Sequence, residues 1–181
     1  SALAILVSNT PSSLISDIKA APHPLEIQLD HPLSEVPVGQ RAVFSIHVFA
    51  EFQGEDGPCE NVVRATHNNQ SIGVSVIGPI DYSATTQAFA APEIGLHSFS
   101  ATLSVRSKAQ GDRLRDAIQS AMARRAVAIQ RRDESVDLAA KAYFQKQIED
   151  LGLLTDELYR QLEVSLLNVA NETLQFRVIS G

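Results

Sequence analysis

The chain changes its hydrophobic period twice. From Leu25, apolar and polar residues alternate: Leu25, Ile27 and Leu29 against Glu26 and Gln28, then Ala42, Phe44, Ile46 and Val48 against Val43, Ser45, His47 and Phe49. A period of two marks half-buried strands, because successive side chains point to opposite faces of a sheet. The alternation returns in Gly95–Val105, where His97, Phe99, Ala101, Leu103 and Val105 share one face. Between these runs, Val62–Thr66, Ile72–Ile77 and Tyr82–Phe89 read as shorter strands. They are separated by Asn68-Asn69-Gln70 and by Gly78-Pro79, and Val36-Pro37-Val38-Gly39 supplies a bend; all three are turn chemistry.

After Gln110-Gly111-Asp112 the spacing lengthens to three or four residues, which predicts a helix to about Arg132 with Asp112 as its N-cap. Asp133-Glu134-Ser135 either recaps a second helix or lies within one long one. The apolar residues predict a packing seam through Leu114, Ile118, Met122, Ile129, Val136, Tyr143, Phe144, Ile148 and Leu151, with Gly152 as the stop. Thr155-Asp156-Glu157 then has the composition of a further helix start, ahead of Leu158, Leu162, Leu166 and Val169. Thr173–Ile179 alternates again and predicts a strand that returns to the sheet. At the other end, Leu3–Ser8 reads as a strand and Leu14–Ala21 as a short helix closed by Pro22-His23-Pro24.

The expected fold is therefore α+β: an antiparallel β-sandwich followed by a two- or three-helix segment and a C-terminal strand. Strands with turns every 8 to 15 residues or so, and no helices between them, favour a sandwich over βαβ units. Val38–Val48 resembles the second strand of immunoglobulin-like domains, and Gly95–Val105 resembles a late strand of that fold. The resemblance spans about residues 24–107 and implies an architecture without a particular ligand, since the paired cysteines and core tryptophan of antibody domains are absent. The order of strand, short helix, sandwich and helices is also similar to the region that follows von Willebrand A-type domains in some bacterial proteins. Leu3–Ala21 would match the end of such a domain, but the family's Asp-x-Ser-x-Ser metal motif is missing, so no metal site carries over. Three segments follow: 1–23, a strand and short helix left from a preceding domain; 24–107, the sandwich; and 108–181, the helical extension with its terminal strand.

Composition makes the core aliphatic, since tryptophan is absent and aromatics are 6% of the 181 residues. Charge adds direction. The net charge is −6, but residues 106–132 carry eight basic and two acidic groups, while residues 1–105 carry three and ten. On a helix starting near Asp112, the candidate partner-binding residues Arg113, Arg124, Arg125, Arg131 and Arg132 form a basic stripe. It is either a solvated face paired with nearby acids or a surface for an acidic protein partner. Nucleic acid is disfavoured by the overall charge and by the lack of aromatics in this run.

Candidate chemistry changes the picture little. The five histidines occur in no His-x-x-x-His pattern, so no metal ligand set is expected. His47 and His97 fall within predicted strands as hydrogen-bonded core or edge residues. Cys59, the single cysteine, lies near Glu55, Asp56 and Glu60, which raise a thiol pKa and disfavour a nucleophile. No Gly-x-Ser-x-Gly elbow or Gly-rich phosphate loop occurs. The expectation is a non-enzymatic binding or scaffolding module without cofactor, catalytic or metal residues, acting through a protein partner or self-association. The alternative is a regulatory module whose basic helix docks an acidic partner or a nucleic-acid backbone. The lone cysteine and the absence of an apolar run of about 18 to 20 residues point to a cytoplasmic location and no membrane span. The start at Ser1 rather than Met points to an internal boundary or a processed end.

Overall fold

The computed structural model describes residues 17–77, 83–86 and 88–181. The expected strand Leu3–Ser8 and the turn Gly78-Pro79 lie outside them, as do Leu14–Ser16 of the expected first helix. In chain order the strands are β1 (Asp17–Leu29), β2 (Glu35–Pro37), β3 (Arg41–Ala42), β4 (Phe44–Gly54), β5 (Gly57–His67), β6 (Gln70–Ile72), β7 (Val74–Ile77), β8 (Ser83–Thr86), β9 (Phe89–Ala90) and β10 (Gly95–Ser107). Helices α1 (Lys108–Glu134) and α2 (Leu138–Val164) follow, then the strand β11 (Leu167–Ile179). The fold class is α+β, as the periods predict.

β4 and β5 pair only beside their shared turn, at Gln53 with Pro58 and Gly54 with Gly57, and there the sheet folds over on itself. One layer carries β1, β4, β8 and β7 in spatial order; the other carries β6, β5, β10, β11 and β2. The inner faces meet through Phe44 of β4, whose ring stacks on Phe99 of β10 at 3.9 Å between centroids and meets Phe176 of β11 edge-on at 5.3 Å. Ala42, Phe44, Ile46 and Val48, and opposite them Phe99, Ala101, Leu103 and Val105, are buried as the alternation predicts. Burying each of the larger side chains contributes roughly 1.5–3 kcal/mol. The β5–β6 hairpin turns through Asn68 and Asn69 at positive φ, a conformation asparagine tolerates better than most residues.

The helix expected over Leu14–Ala21 is corrected from Asp17 onward: this backbone is strand, with Asp17 paired to Gln53 and Ala20 to Ala50. Three apolar residues in one short window cannot offset helix nucleation, whereas β4 supplies a ready edge. Pro22 and Pro24 sit where the register shifts between Ala20 and Leu25, an irregularity on an edge strand that tolerates missing N–H donors.

The helices also depart from the expected boundaries. Ser107 caps α1, its hydroxyl accepting from the Gln110 N–H at 3.3 Å, so Asp112 lies inside the helix rather than at its cap. Asp137, not Asp133, caps α2 by accepting from the Ala140 N–H at 3.2 Å. α2 runs through Gly152 and Thr155 to Val164, so the expected stop and third helix merge into one element and the segment has two helices. Gly152 remains helical beneath Arg125, and Thr155 bonds back to the Leu151 carbonyl at 2.8 Å instead of capping. β11 pairs antiparallel with β10 from Gly95–Val178 to Val105–Leu167. The helical hairpin is thus inserted between two neighbouring strands of one sheet.

Candidate functional site

The root of the hairpin is a charged lock that the sequence reading left out. Arg106, 6% exposed near the end of β10, donates through Nε to Glu60 Oε1 at 2.6 Å and through Nη1 to the Leu162 carbonyl at the end of α2. Glu60 of β5 also accepts two bonds of 3.0 Å from Arg115 of α1. Arg115 in turn donates to Asp112 at 2.8 Å. Hydrogen bonds donated by Arg115 and then Lys108 hold the Asp112 carboxyl below the usual carboxylate range, and those that Arg115 donates to Glu60 and then to Asp112 raise the Arg115 pKa. On the returning helix, Glu163 accepts from Arg64 of β5 at 2.6 Å. One carboxylate and one guanidinium therefore join β5, β10, α1 and α2. Arg106 is a strand residue of this lock and not part of the helical stripe.

Beyond the root the helices hold each other. A cluster of Leu114, Ile118, Ala121, Leu151, Leu154 and Leu158 is buried between them, with Ala117 and Leu162 packed at its margin. Positions 114, 118, 121, 125, 128 and 132 repeat at alternating spacings of four and three, the heptad seam of an antiparallel pair. Its distal half is occupied by Arg125, Ala128 and Arg132. Arg125 lies over Gly152, and Arg132 bonds Gln145 at 2.8 Å and Asp133 at 3.1 Å. Of the seam residues expected from sequence, Leu114, Ile118, Ile148 and Leu151 are buried, and Ile129 and Phe144 are half-buried. Met122 is 52% exposed, Tyr143 60% and Val136 95%, so these three lie off the seam. Met122 is displaced because Ala121 and Arg125 take the heptad positions on either side of it, and Val136 is displaced because it belongs to the interhelical turn.

The five arginines of the expected stripe have different surroundings. Arg113 sits 4.0 Å from Asp56 at the tip of the β4–β5 hairpin, and Arg132 is taken up within the hairpin as above. Arg124, Arg125 and Arg131 are exposed and have no ion-pair partner among the described residues. Arg124 and Arg131, one heptad apart, flank Val127, which is 46% exposed. The result is a strip of cation, apolar side chain and cation on the outer side of α1. Leu138, near the interhelical turn, is also exposed.

His47, His67 and His97 are engaged in structure. His97 Nε2 donates to the Glu93 carbonyl at 2.8 Å, since a carbonyl only accepts, so in the neutral ring Nδ1 accepts from His67 Nε2 at 2.8 Å and Asn68 Nδ2 at 3.1 Å. The two rings stack at 5.0 Å beside Phe176. Burial, then the neighbouring His97, lower the His67 pKa. His47 contacts Ser83 Oγ at 2.7 Å. No group of three or more His, Cys, Asp or Glu residues with metal-binding proximity occurs among the described residues. Cys59 lies in β5 rather than in a loop, and burial, not the adjacent acids, raises its thiol pKa.

A second surface lies at the open side of the sandwich. Among the described residues β1 pairs only with β4, and β11 is bounded on its outer side by β2 only at residues 177–179, so the two layers present neighbouring edges there. Between them runs a shallow groove of about 340 Å³ lined by Leu25, Glu26, Ile27, Glu172, Thr173 and Leu174. Glu172 pairs with the fully buried Ala101, and paired residues share a face, so its carboxylate is directed to the inner side of the sheet. Neither Glu26 nor Glu172 has a cationic partner among the described residues; Glu26 accepts a long bond of 3.4 Å from Gln28. No described helix is long and apolar enough to cross a membrane. Compared with protein-family profiles and with curated proteins, the chain matches none.

Proposed function

We propose that this chain is a non-enzymatic protein-binding module of a larger assembly, in which the α1–α2 hairpin is the contacting arm and its partner is an acidic protein surface. The observation that carries the reading is a pair of 27-residue helices, each about 40 Å long, rooted on the sandwich by the Glu60–Arg106–Arg115 lock. Away from that root the arm bears the strip Arg124–Val127–Arg131, whose two cations have no ion-pair partner among the described residues and whose central side chain is 46% exposed. An acidic surface with an apolar centre supplies what this strip lacks. His47, His67 and His97 support a non-catalytic role, because structural hydrogen bonds occupy their imidazoles, and burial raises the Cys59 thiol pKa, which lowers its thiolate fraction.

The sandwich is read as immunoglobulin-like, supported by β4 and β10 facing each other at its centre through Phe44 and Phe99. A cytoplasmic setting is read from the presence of a single cysteine, which leaves no intrachain disulfide. A nucleic-acid backbone is the poorer occupant, because α2 carries more acidic than basic residues beside the strip. Such binding would lose affinity with a log–log salt slope of about −0.9 per phosphate neutralised.

Site-specific photocrosslinkers at Val127 and Tyr143 of the arm, and at Leu96 of the sandwich as control, test the reading in the native host. The expected result is a discrete protein adduct from the arm positions that is lost on Arg124→Gln/Arg131→Gln. Adducts confined to Leu96, or none from any position, would sink it.

A further inference from the structure

We infer that the acidic surface the arm engages is the β1–β11 groove of a second copy of this chain, giving a head-to-tail contact between copies. This rests on the reading of the arm as the contacting element and adds its partner. The match is one of charge and order: the arm presents Arg124, Val127 and Arg131 in line, and the groove presents Glu26 and Glu172 around Ile27 and Leu174. Both carboxylates lack a cation and both arginines lack an anion among the described residues, so joining them pairs four side chains at once. Glu172 is the telling member. An inward-directed charge guards a sheet edge against unwanted strand pairing, which accounts for Glu172 but leaves Glu26 unexplained; an arginine-bearing visitor uses both.

Within one chain, the main contacts of α1 with the strands are to β5 and β10, at the root of the arm. α2 packs chiefly on α1. The strip and the groove are therefore different patches, and a contact between different patches is heterologous. Each added copy leaves one free arm and one free groove, so assembly continues unless the rotation closes a ring.

The test uses the full chain in sedimentation velocity. The unaltered protein should form dimers and larger species with rising concentration, and these should weaken as salt rises from about 50 to 300 mM, because the pairs are solvent-facing. An arm variant (Arg124→Gln, Arg131→Gln) and a groove variant (Glu26→Gln, Glu172→Gln) should each associate at least tenfold more weakly. Mixed in equal amounts they should form 1:1 dimers and nothing larger, since one supplies only the groove and the other only the arm. Unchanged circular dichroism and melting show that the variants remain folded. A monomeric wild type at every concentration, variants that assemble like wild type, or a mixture that stays monomeric would each overturn the inference. If the arm nonetheless crosslinks to a different protein in the host, the arm's binding role stands while the self-contact fails.

Discussion

Replacing Gly111 by alanine sets two effects against each other. Gly111 lies in the first turns of α1, where alanine is favoured over glycine by about 1 kcal/mol in helix propensity. Against this, a Cβ at Gly111 would lie 2.0 Å from Glu60 Oε1 and 3.0 Å from Arg115 Nη2, closer than such atoms approach. A long side chain can usually swing aside, but this carboxylate is held by Arg106 at 2.6 Å and by Arg115 at 3.0 Å. Moving it strips the buried Arg106 of its anion. Removing one partner of a buried ion pair costs roughly 3–5 kcal/mol, and the partial exposure of Glu60 and Arg115 places this case at or below the lower end. Net of the propensity gain, Gly111→Ala should destabilise by about 2 kcal/mol. Urea unfolding followed by far-ultraviolet circular dichroism measures this directly. In a Glu60→Ala background the obstacle is gone, and the same alanine should be neutral or stabilise by up to about 1 kcal/mol. The effect must change sign or vanish between the two backgrounds. If Gly111→Ala stabilises the unaltered protein, or acts equally in both, the lock is not rigid enough to hold the Glu60 carboxylate in place.

Two further predictions test other parts of the molecule. Because the native pKa of His67 lies below its ordinary 6.5, the unfolded chain takes up that proton first. Its contribution to stability should be complete above about pH 6.5 and be lost as pH falls from there to the lower native value; melting temperatures between pH 8 and 5 should show it, and His67→Gln should flatten the slope, whereas equal slopes would refute the assignment. In the helical seam, Leu158→Ala should cost about 2–5 kcal/mol and Met122→Ala no more than about 0.5, the reverse order excluding the heptad packing described above.

The sandwich was legible where one face of a strand is dry and the other wet. Phe44, Ile46 and Val48, or Phe99, Ala101 and Leu103, announce their faces because a slip by one residue would invert them. Legibility failed where tertiary pairing outweighs local preference, as at Asp17–Ala21, whose apolar spacing is helical but whose backbone joins β4. It failed again in the arm. Arg125 and Arg132 occupy seam positions that an apolar pattern passes over, so apolar spacing alone runs the seam through Met122 and Val136. Gly152 and Thr155 resemble a stop and a start, yet a second helix alongside keeps the backbone continuous through both. Of the candidate surfaces, the basic stripe could be read as charge but not as exposure. The separation of Arg113 and Arg132, which are engaged, from Arg124 and Arg131, which are open, needs the third dimension. The contact of Glu60 with Arg106 and the meeting of Glu26 and Glu172 in one groove gave no local signal, because the residues involved lie far apart along the chain.

The insertion of the helices between β10 and β11 bears on how the chain folds and how it can be remodelled. Val105 and Leu167 are paired neighbours, although a long stretch of chain separates them. Closing so long a loop is slow when it is disordered, but an antiparallel helical pair carries its two ends side by side and shortens the search to almost nothing. Folding would then proceed from the arm inwards, with the last strand delivered to its place. The same geometry makes the arm modular in length: adding or removing one whole heptad in each helix shifts its far end by about 10 Å while the entry and exit points stay fixed. The body could keep its structure while the reach of the arm is lengthened or shortened in steps.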